Sequence, residues 1–154
     1  MKPRVAVLGR HPDGTWRDAA RFDLPPAHPE LTILRFDGPL HFVNAATFED
    51  AVLACRRDNP QLRVLLLSCA GINDIDASGV DTLRRMQRQL AEAGQTLACC
   101  GLKKQVIDVL ERTGLWQALA PSSAYRTEDH ALQHLLPTLA DVPEAPPSRR
   151  GLEW

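Results

Sequence analysis

The stretch that most constrains this chain runs from Leu62 to Leu90. It opens with the most apolar run in the sequence, Leu62 to Cys69, where Leu62, Val64, Leu65, Leu66 and Leu67 follow almost without interruption. Such a run suits a strand buried on both faces, as in a parallel sheet. Beyond it, Val80, Leu83, Met86 or Gln87, and Leu90 recur at helical spacing. Between strand and helix lies Asn73-Asp74-Ile75-Asp76-Ala77-Ser78-Gly79-Val80-Asp81. Ser78 with Asp81 three residues on approximates a capping box, with Asp in place of the usual Glu. That places Ser78 at or near a helix N-terminus, on the carboxyl edge of a sheet, where open α/β sheets meet ligands and partners. Two readings of Ser78 follow. It is an N-cap worth ~1 kcal/mol to the helix, with Asp74 and Asp76 as loop and cap residues, or it belongs to a contact loop with Asn73, Asp74, Asp76, Gly79 and Asp81.

The rest of the chain alternates in the same way. Val5 to Leu8 reads as a short strand ending at Gly9, and His11 to Thr15 as a turn. Trp16 to Phe22 reads as a second short extended piece or an irregular arm. The prolines of Leu24 to Pro29 exclude regular structure there. Leu31 to Phe36 is a strand, broken at Asp37-Gly38-Pro39, and Leu40 to Val43 reads as extended or loop-like. Asn44 or Thr47 caps the next helix, whose stripe is Phe48, Ala51, Val52 and Cys55. Gly94 closes the Ser78 helix as a C′ residue. Thr96 to Cys100 is another strand. Leu102, Val106, Val109 and Leu110 stripe a third helix that stops at Gly114. A short final strand falls near Ala118 to Ala120 or near Ala124-Tyr125. Thr127 caps a fourth helix carrying Leu132, Leu135, Leu136 and Leu139. From Val142 onward the chain reads as a flexible tail, 142–154. This alternation implies an α/β fold with a mixed, largely parallel sheet.

The 154 residues suit one domain, with 44% hydrophobic and 24% charged content. A net charge of -1 gives no global attraction to nucleic acid. No apolar run approaches the ~18 residues that span a bilayer, and Met1-Lys2-Pro3-Arg4 lacks the apolar core of a signal peptide. The chain is therefore expected to be cytoplasmic. Cys55, Cys69, Cys99 and Cys100 form no Cys-x-x-Cys pair and read as reduced thiols packing as small hydrophobes.

Enzymatic chemistry finds little purchase. There is no Gly-rich phosphate loop and no Gly-x-Ser-x-Gly elbow. Gly9 and Gly71 read as turn glycines. Cys99 or Ser78 as a nucleophile has no placed base. His130 and His134 share a helix face, but no third ligand is evident, so no metal site is expected. Arg84, Arg85 and Arg88 read as a solvated face. Alternatively they join Lys103 and Lys104 in a basic surface for a partner's acidic patch. Free N–H groups at the Ser78 helix could meet a nucleotide phosphate, but Asp74, Asp76 and Asp81 oppose an anion there. No cofactor is expected.

The loop Ile75-Asp76-Ala77-Ser78-Gly79-Val80 resembles the signature loop of STAS domains, shared by anti-sigma-factor antagonists and the cytoplasmic tails of sulfate-permease-type (SulP) anion transporters. The resemblance extends further. Val5-x-x-Leu8-Gly9-Arg10 followed by Trp16-Arg17-Asp18 is similar to the segment after the last membrane helix of SulP transporters. Arg35-Phe36-Asp37-Gly38-Pro39-Leu40-His41-Phe42-Val43-Asn44-Ala45 resembles that branch's strand and loop, and Gly101 to Leu115 a late STAS helix. The resemblance implies a single STAS domain over 1–141, with a SulP-type leader at 1–30 and helices mainly on one face of a small sheet. It implies a non-enzymatic regulatory domain of a SulP-family sulfate or other anion transporter, at the cytoplasmic face of the inner membrane. The partner would be the transporter's transmembrane domain or another cytosolic protein. The alternative is a stand-alone anti-sigma-factor antagonist, with an anti-sigma factor or kinase as partner, switched by phosphorylation of Ser78. The chain is then either an excised cytoplasmic domain or a separate protein descended from one.

Overall fold

The computed structural model describes residues 2–143. Five strands form one open mixed sheet in the order β2-β1-β3-β4-β5. They are β1 (Arg4–Arg10), β2 (Trp16–Asp18), β3 (Leu31–Asp37), β4 (Val64–Ser68) and β5 (Thr96–Cys100). β1 runs antiparallel to β2 and β3, while β3, β4 and β5 are parallel. Every residue of β4 is buried, as its unbroken apolar run requires. β4 is internal, flanked by β3 and β5, and the middle strand is β3.

Successive side chains of each strand point to opposite faces, and two cores result. On one face Leu34, Phe36, Leu65, Leu67, Leu97 and Cys99 meet four helices. These are α2 (Phe42–Asp58), α3 (Ala77–Glu92), α4 (Lys104–Arg112) and the short α5 (Trp116–Leu119). The remaining helix of the first half, α1 (Ala19–Phe22), follows β2 and buries nothing. On the other face Leu8, Leu31, Ile33, Val64, Leu66, Ala98 and Cys100 meet α6 (Glu128–Leu135), with Trp16, Ala27, Tyr125, Leu136 and Leu139 packed at its margins. This is the STAS-type arrangement, with helices mainly on one face.

The first strands are integral to this sheet. β1 pairs with β3 from Arg4↔Asp37 to Leu8↔Ile33. Arg10 bonds Asp129 of α6, and Trp16 Nε1 donates to the same carboxylate at 3.2 Å. The Arg10 guanidinium lies 4.2 Å from the Trp16 ring centroid. The hairpin thereby clamps the first turn of α6.

Several local expectations are corrected. β1 does not end at Gly9 but passes through it. A Cβ there would stand 2.6 Å from Leu24 Cβ, so close packing explains this glycine better than a turn does. Gly71 is also a close approach, with Asp37 Oδ1 2.0 Å from where its Cβ would be. The helix expected to be capped by Asn44 or Thr47 begins earlier, at Phe42. Asn44 is buried inside it and donates to Pro39 O at 2.7 Å. The final strand near Tyr125 is reduced to a single bridge with Cys100, and residues 118–119 are helical. Of the expected tail, 144–154 lies outside the described residues.

Candidate functional site

The loops that follow β3, β4 and β5 meet at the carboxyl edge of the parallel strands. Gly38 N donates to Gly71 O at 3.0 Å, and Leu40 N to Asp74 O at 2.9 Å. Leu40 and Ile75 form a parallel bridge. Cys69 N donates to Cys100 O at 2.9 Å. These bonds satisfy loop backbone that would otherwise be buried without partners. They also bring the first turns of α2 and α3 side by side.

Asp76 organises this junction. Its Oδ1 accepts from Gly79 N of α3 at 2.8 Å, and its Oδ2 accepts from Phe42 N of α2 at 3.0 Å. One carboxylate thus satisfies an orphan donor on each of two helices. Burial works to raise its pKa. The N–H groups of Gly79 and Phe42, with His41 nearby, outweigh that and hold it below the ordinary carboxylate value. The expectation of a Ser78–Asp81 capping box is therefore corrected, because the cap is Asp76 and Ser78 is already the second residue of α3. Gly79 is fixed by the same junction. A Cβ on it would stand 1.9 Å from the Leu40 carbonyl oxygen, so a larger residue would push the two loops apart.

The other expected contact residues are distributed around this point. Ser78 is half-buried, and its carbonyl accepts from Thr82 Oγ1 at 2.9 Å. Its Oγ makes no hydrogen bond among the described residues. Asp74 is exposed, with His41 Nε2 2.8 Å from its Oδ2. Asn73 accepts from Lys103 through its side chain and from Gln105 Nε2 through its carbonyl at 3.2 Å. Asp81 faces solvent on the outer side of α3.

The five basic residues are not drawn into one patch. Arg84 donates to Thr113 O at 2.9 Å, beyond the end of α4. Arg85 turns the other way, to Glu49 of α2 at 2.7 Å. Lys103 is held at Asn73, while Arg88 and Lys104 are exposed.

Sequence reasoning missed the adjoining apolar surface. Phe42 is 75% exposed and Val43 79% exposed. They stand in the first turn of α2, and Phe42 is joined to the Ser78 loop through Asp76. The signal was present in Phe42-Val43-Asn44-Ala45-Ala46, but reading Leu40 to Val43 as extended hid it. Recognising Phe42 as helical would have shown that the next turn of the same helix already supplies the buried residues.

The reactive groups are poorly placed for catalysis. Cys69, Cys99 and Cys100 are 2% exposed or less. The Cys99 sulfur beside it, together with burial, raises the Cys69 thiol well above its usual value. Burial and then Glu128 raise that of Cys100. His130 and His134 pack with Tyr125 as an aromatic cluster, and His134 stacks on its ring at 5.5 Å. No group of three potential metal ligands occurs among the described residues.

The fold is that of the anti-sigma-factor antagonists and of anion-transporter domains. The chain superimposes on the murine Solute Carrier 26 family member A9 anion transporter with a TM-score of 0.72 at 17% identity, over 84% of this chain and 22% of that one. It matches a sulfate transporter family protein from Wolinella succinogenes with a TM-score of 0.61 at 21% identity, over 77% of this chain and 94% of that one. The phosphorylated Bacillus cell fate determinant SpoIIAA gives 0.55 at 15% identity, over 72% and 96%.

The chain belongs to the STAS domain family, whose model matches residues 25–131. By sequence it is 26% identical to probable sulfate transporter 3.5 of Arabidopsis thaliana over 86% of this chain. It is 28% identical to sulfate anion transporter 1 of Mus musculus over 74% of this chain. The chain spans only about a fifth of those transporters, 21% and 22% of their lengths. No helix among the described residues is long and apolar enough to cross a membrane.

Proposed function

We propose that this chain is a non-enzymatic regulatory domain of a SulP-type anion transporter, acting through protein contacts at the cytoplasmic face of the membrane. The observation that carries the reading is its similarity to sulfate transporters over most of its length, 86% in one case. That match reaches beyond the part shared with the family model alone. Its contact surface is the junction of the α2 and α3 N-termini, with Phe42 and Val43 as apolar anchors and Asp74, Ser78 and Asp81 as a polar margin. The partner is the transporter's own transmembrane domain. Two exposed large apolar side chains in adjacent positions contribute nothing to the core and suit a protein contact.

A second reading is favoured by Ser78 itself. Its Oγ is unbonded among the described residues and stands in the first turn of a helix, the position at which the antagonist resemblance implies phosphorylation. A phosphate would add roughly −1.5 to −2 charge there. The N-terminal end of the helix dipole tolerates it. Asp74, Asp81 and the apolar anchors do not favour it, and the contact weakens. In this reading the partner is an anti-sigma factor.

The experiment is a titration of wild type, Ser78→Asp and Phe42→Ser against the transporter's membrane part and, separately, an anti-sigma factor. Loss of binding to the membrane part in both variants supports the transporter reading, and the same pattern with the anti-sigma factor alone supports the second. If both variants bind like wild type, this junction is not the contact surface. Non-enzymatic action is tested by incubating the purified chain with nucleotide, ester and peptide substrates. Turnover abolished by Ser78→Ala or Cys99→Ser would overturn it.

A further inference from the structure

The outer part of the sheet carries a basic pocket that the proposed contact surface does not use. It holds ≈ 250 Å³ beside β1, and its charged lining is Arg4, Arg17, Arg21 and Arg35 against Asp18 and Asp37. Four positive groups against two negative ones leave a local surplus of two, in a chain whose net charge is -1. The strand register explains the gathering. Ala6 stands opposite Arg35 and Arg4 opposite Asp37, so these side chains share one face of the sheet. It is the face of α6, because Ala6 packs against the core beneath that helix. Leu8 and Ile33 are buried in that core, whereas Arg4 and Arg35, further along the same face, are exposed. α1 borders the pocket with Arg21 and Phe22.

The carboxylates here are committed to the fold, and three of the arginines keep free donors. Asp18 Oδ1 caps α1, accepting from Ala20 N at 3.0 Å and Arg21 N at 3.3 Å. Asp37 Oδ2 accepts from Arg35 Nε at 2.8 Å, and its Oδ1 is turned against Gly71. That one bond holds the Arg35 guanidinium and leaves its two terminal nitrogens without a partner among the described residues. Arg4 and Arg21 are exposed, and among the described residues their side chains enter no hydrogen bond or ion pair. Arg17 is taken up by Asp13. Phe22 is 39% exposed, with the Arg21 guanidinium 5.3 Å from its ring centroid.

Guanidinium groups hold phosphate through paired N–H donors. Cations beside an exposed aromatic ring suit a membrane surface, where phosphates and the acyl boundary lie together. The placement agrees with this. Arg4 is level with the last residue of β3. Pro3 packs on the next residue, its Cβ 3.1 Å from where a side chain on Gly38 would begin. The loop that follows leads through Leu40 into the proposed contact surface. A transmembrane domain seated on that surface brings Arg4 and Arg35 toward the bilayer.

We propose that Arg4, Arg21 and Arg35 bind the phosphate groups of anionic phospholipids, with Phe22 at the headgroup boundary. The domain is then held to the bilayer as well as to its protein partner. The inference rests on the transporter reading for the nearness of a membrane. A bilayer is favoured over a soluble phosphate because it offers the three arginines several phosphates at once and covers the exposed ring. Each arginine brought to such a surface raises partitioning about fivefold.

The test is co-sedimentation of the purified chain with vesicles of phosphatidylcholine alone and of phosphatidylcholine mixed with phosphatidylglycerol. Wild type should bind the mixed vesicles only, and less as salt is raised. Arg4→Gln with Arg21→Gln should lower that partitioning about 25-fold. Neither change removes a side-chain partner found among the described residues, and an unchanged unfolding midpoint checks the fold. Arg88→Gln with Arg112→Gln removes the same charge from exposed positions on other helices and should leave most of the binding. No binding to the mixed vesicles, no preference for them, or equal losses from the two double variants would overturn the proposal. So would amide shifts at Arg4, Arg21 and Arg35 that saturate with inorganic phosphate or with polyglutamate while vesicles shift nothing, since the pocket would then serve a soluble anion or an acidic protein. The vesicles contain no transmembrane domain, so their result stands apart from the Phe42→Ser titration, which alone judges the protein contact.

Discussion

Helix α3 buries Val80, Leu83, Met86 and Leu90 and turns Asp81, Arg85 and Arg88 to solvent. Helix α2, beside it on the same face, buries Asn44, Phe48, Val52 and Cys55 but also exposes Phe42, Val43 and Leu53. Their starts differ as well. α3 is capped by Asp76, the residue immediately before it, whereas the residue before α2, His41, makes no side-chain cap. α2 depends on the same Asp76, which lies 34 positions further along the chain. The apolar side chains of α3 are accounted for by folding alone. The first turn of α2 is not, and that surplus apolar surface is what directs attention to it as a contact site.

The contrast is broken most strongly by truncating one residue on each helix. Leu83→Ala should cost about 3 kcal/mol in denaturant unfolding, as expected for a fully buried leucine. Phe42→Ala should change stability by less than about 0.5 kcal/mol while weakening partner binding. Equal losses from the two would mean that Phe42 is part of the core and that the surface assignment is wrong.

Gly79→Ala probes the contact that holds the two helix starts together. Alanine normally favours a helix by about 1 kcal/mol over glycine. Here its Cβ would meet the Leu40 carbonyl oxygen at 1.9 Å, and a net loss of about 2–3 kcal/mol is expected from overpacking. A melting temperature at or above wild type would show that the loops can separate freely.

Asp76→Ala should cost about 2 kcal/mol, because two helix starts lose an acceptor at once. Asp76→Asn sharpens the point, since its single amide oxygen can serve only one of the two N–H groups, and about half of that loss is expected. The pH dependence has a definite sign. The folded-state pKa of Asp76 is lowered, so its contribution is fully present above the unfolded value near ~3.9. It is lost as pH falls through the lower folded value. The difference in stability between wild type and Asp76→Ala should therefore shrink under acid. A difference that stays constant from neutral pH to acid would remove the carboxylate from the explanation.

The smallest effect is expected at Ser78. Because Asp76 is the cap, Ser78→Ala should change stability by less than about 0.5 kcal/mol, not by the ~1 kcal/mol of a lost N-cap. A full unit of loss would place Ser78 back in the capping role.

What was legible in the sequence follows from how local each cause is. The β4 run, the α3 stripe and the Thr127 cap of the fourth helix depend on neighbouring residues, and each is found where the spacing places it, whereas that helix ends at Leu135, and Leu136 and Leu139 of its expected stripe lie beyond it. Thr127 does accept from His130 N, at 3.1 Å. The early start of α2 was hidden because its acceptor comes from Asp76 across the sheet edge, and no local pattern announces a borrowed cap. Gly71 and Gly79 looked like turn and signature residues, yet close approaches to Asp37 and Leu40 fix them. The STAS signature pointed to the loop around Ser78 but not to its apolar neighbours, since Phe42 and Val43 become notable only once their exposure is known. The five basic residues share a charge but were separated by partners that spacing does not reveal, Glu49 and Thr113.

Cys99 and Cys100 are adjacent in β5 and point into opposite cores. That alternation makes the strand a built-in pair of reporters. A thiol reagent reaches Cys99 only when the four-helix side opens, and Cys100 only when α6 lifts from the other side. Their labelling rates, read by mass spectrometry on one short peptide, would time the two openings independently within a single molecule. Because α6 packs over the core that holds Cys100, and the Arg10–Asp129 clamp helps to hold it there, weakening that clamp should hasten the second clock and leave the first unchanged.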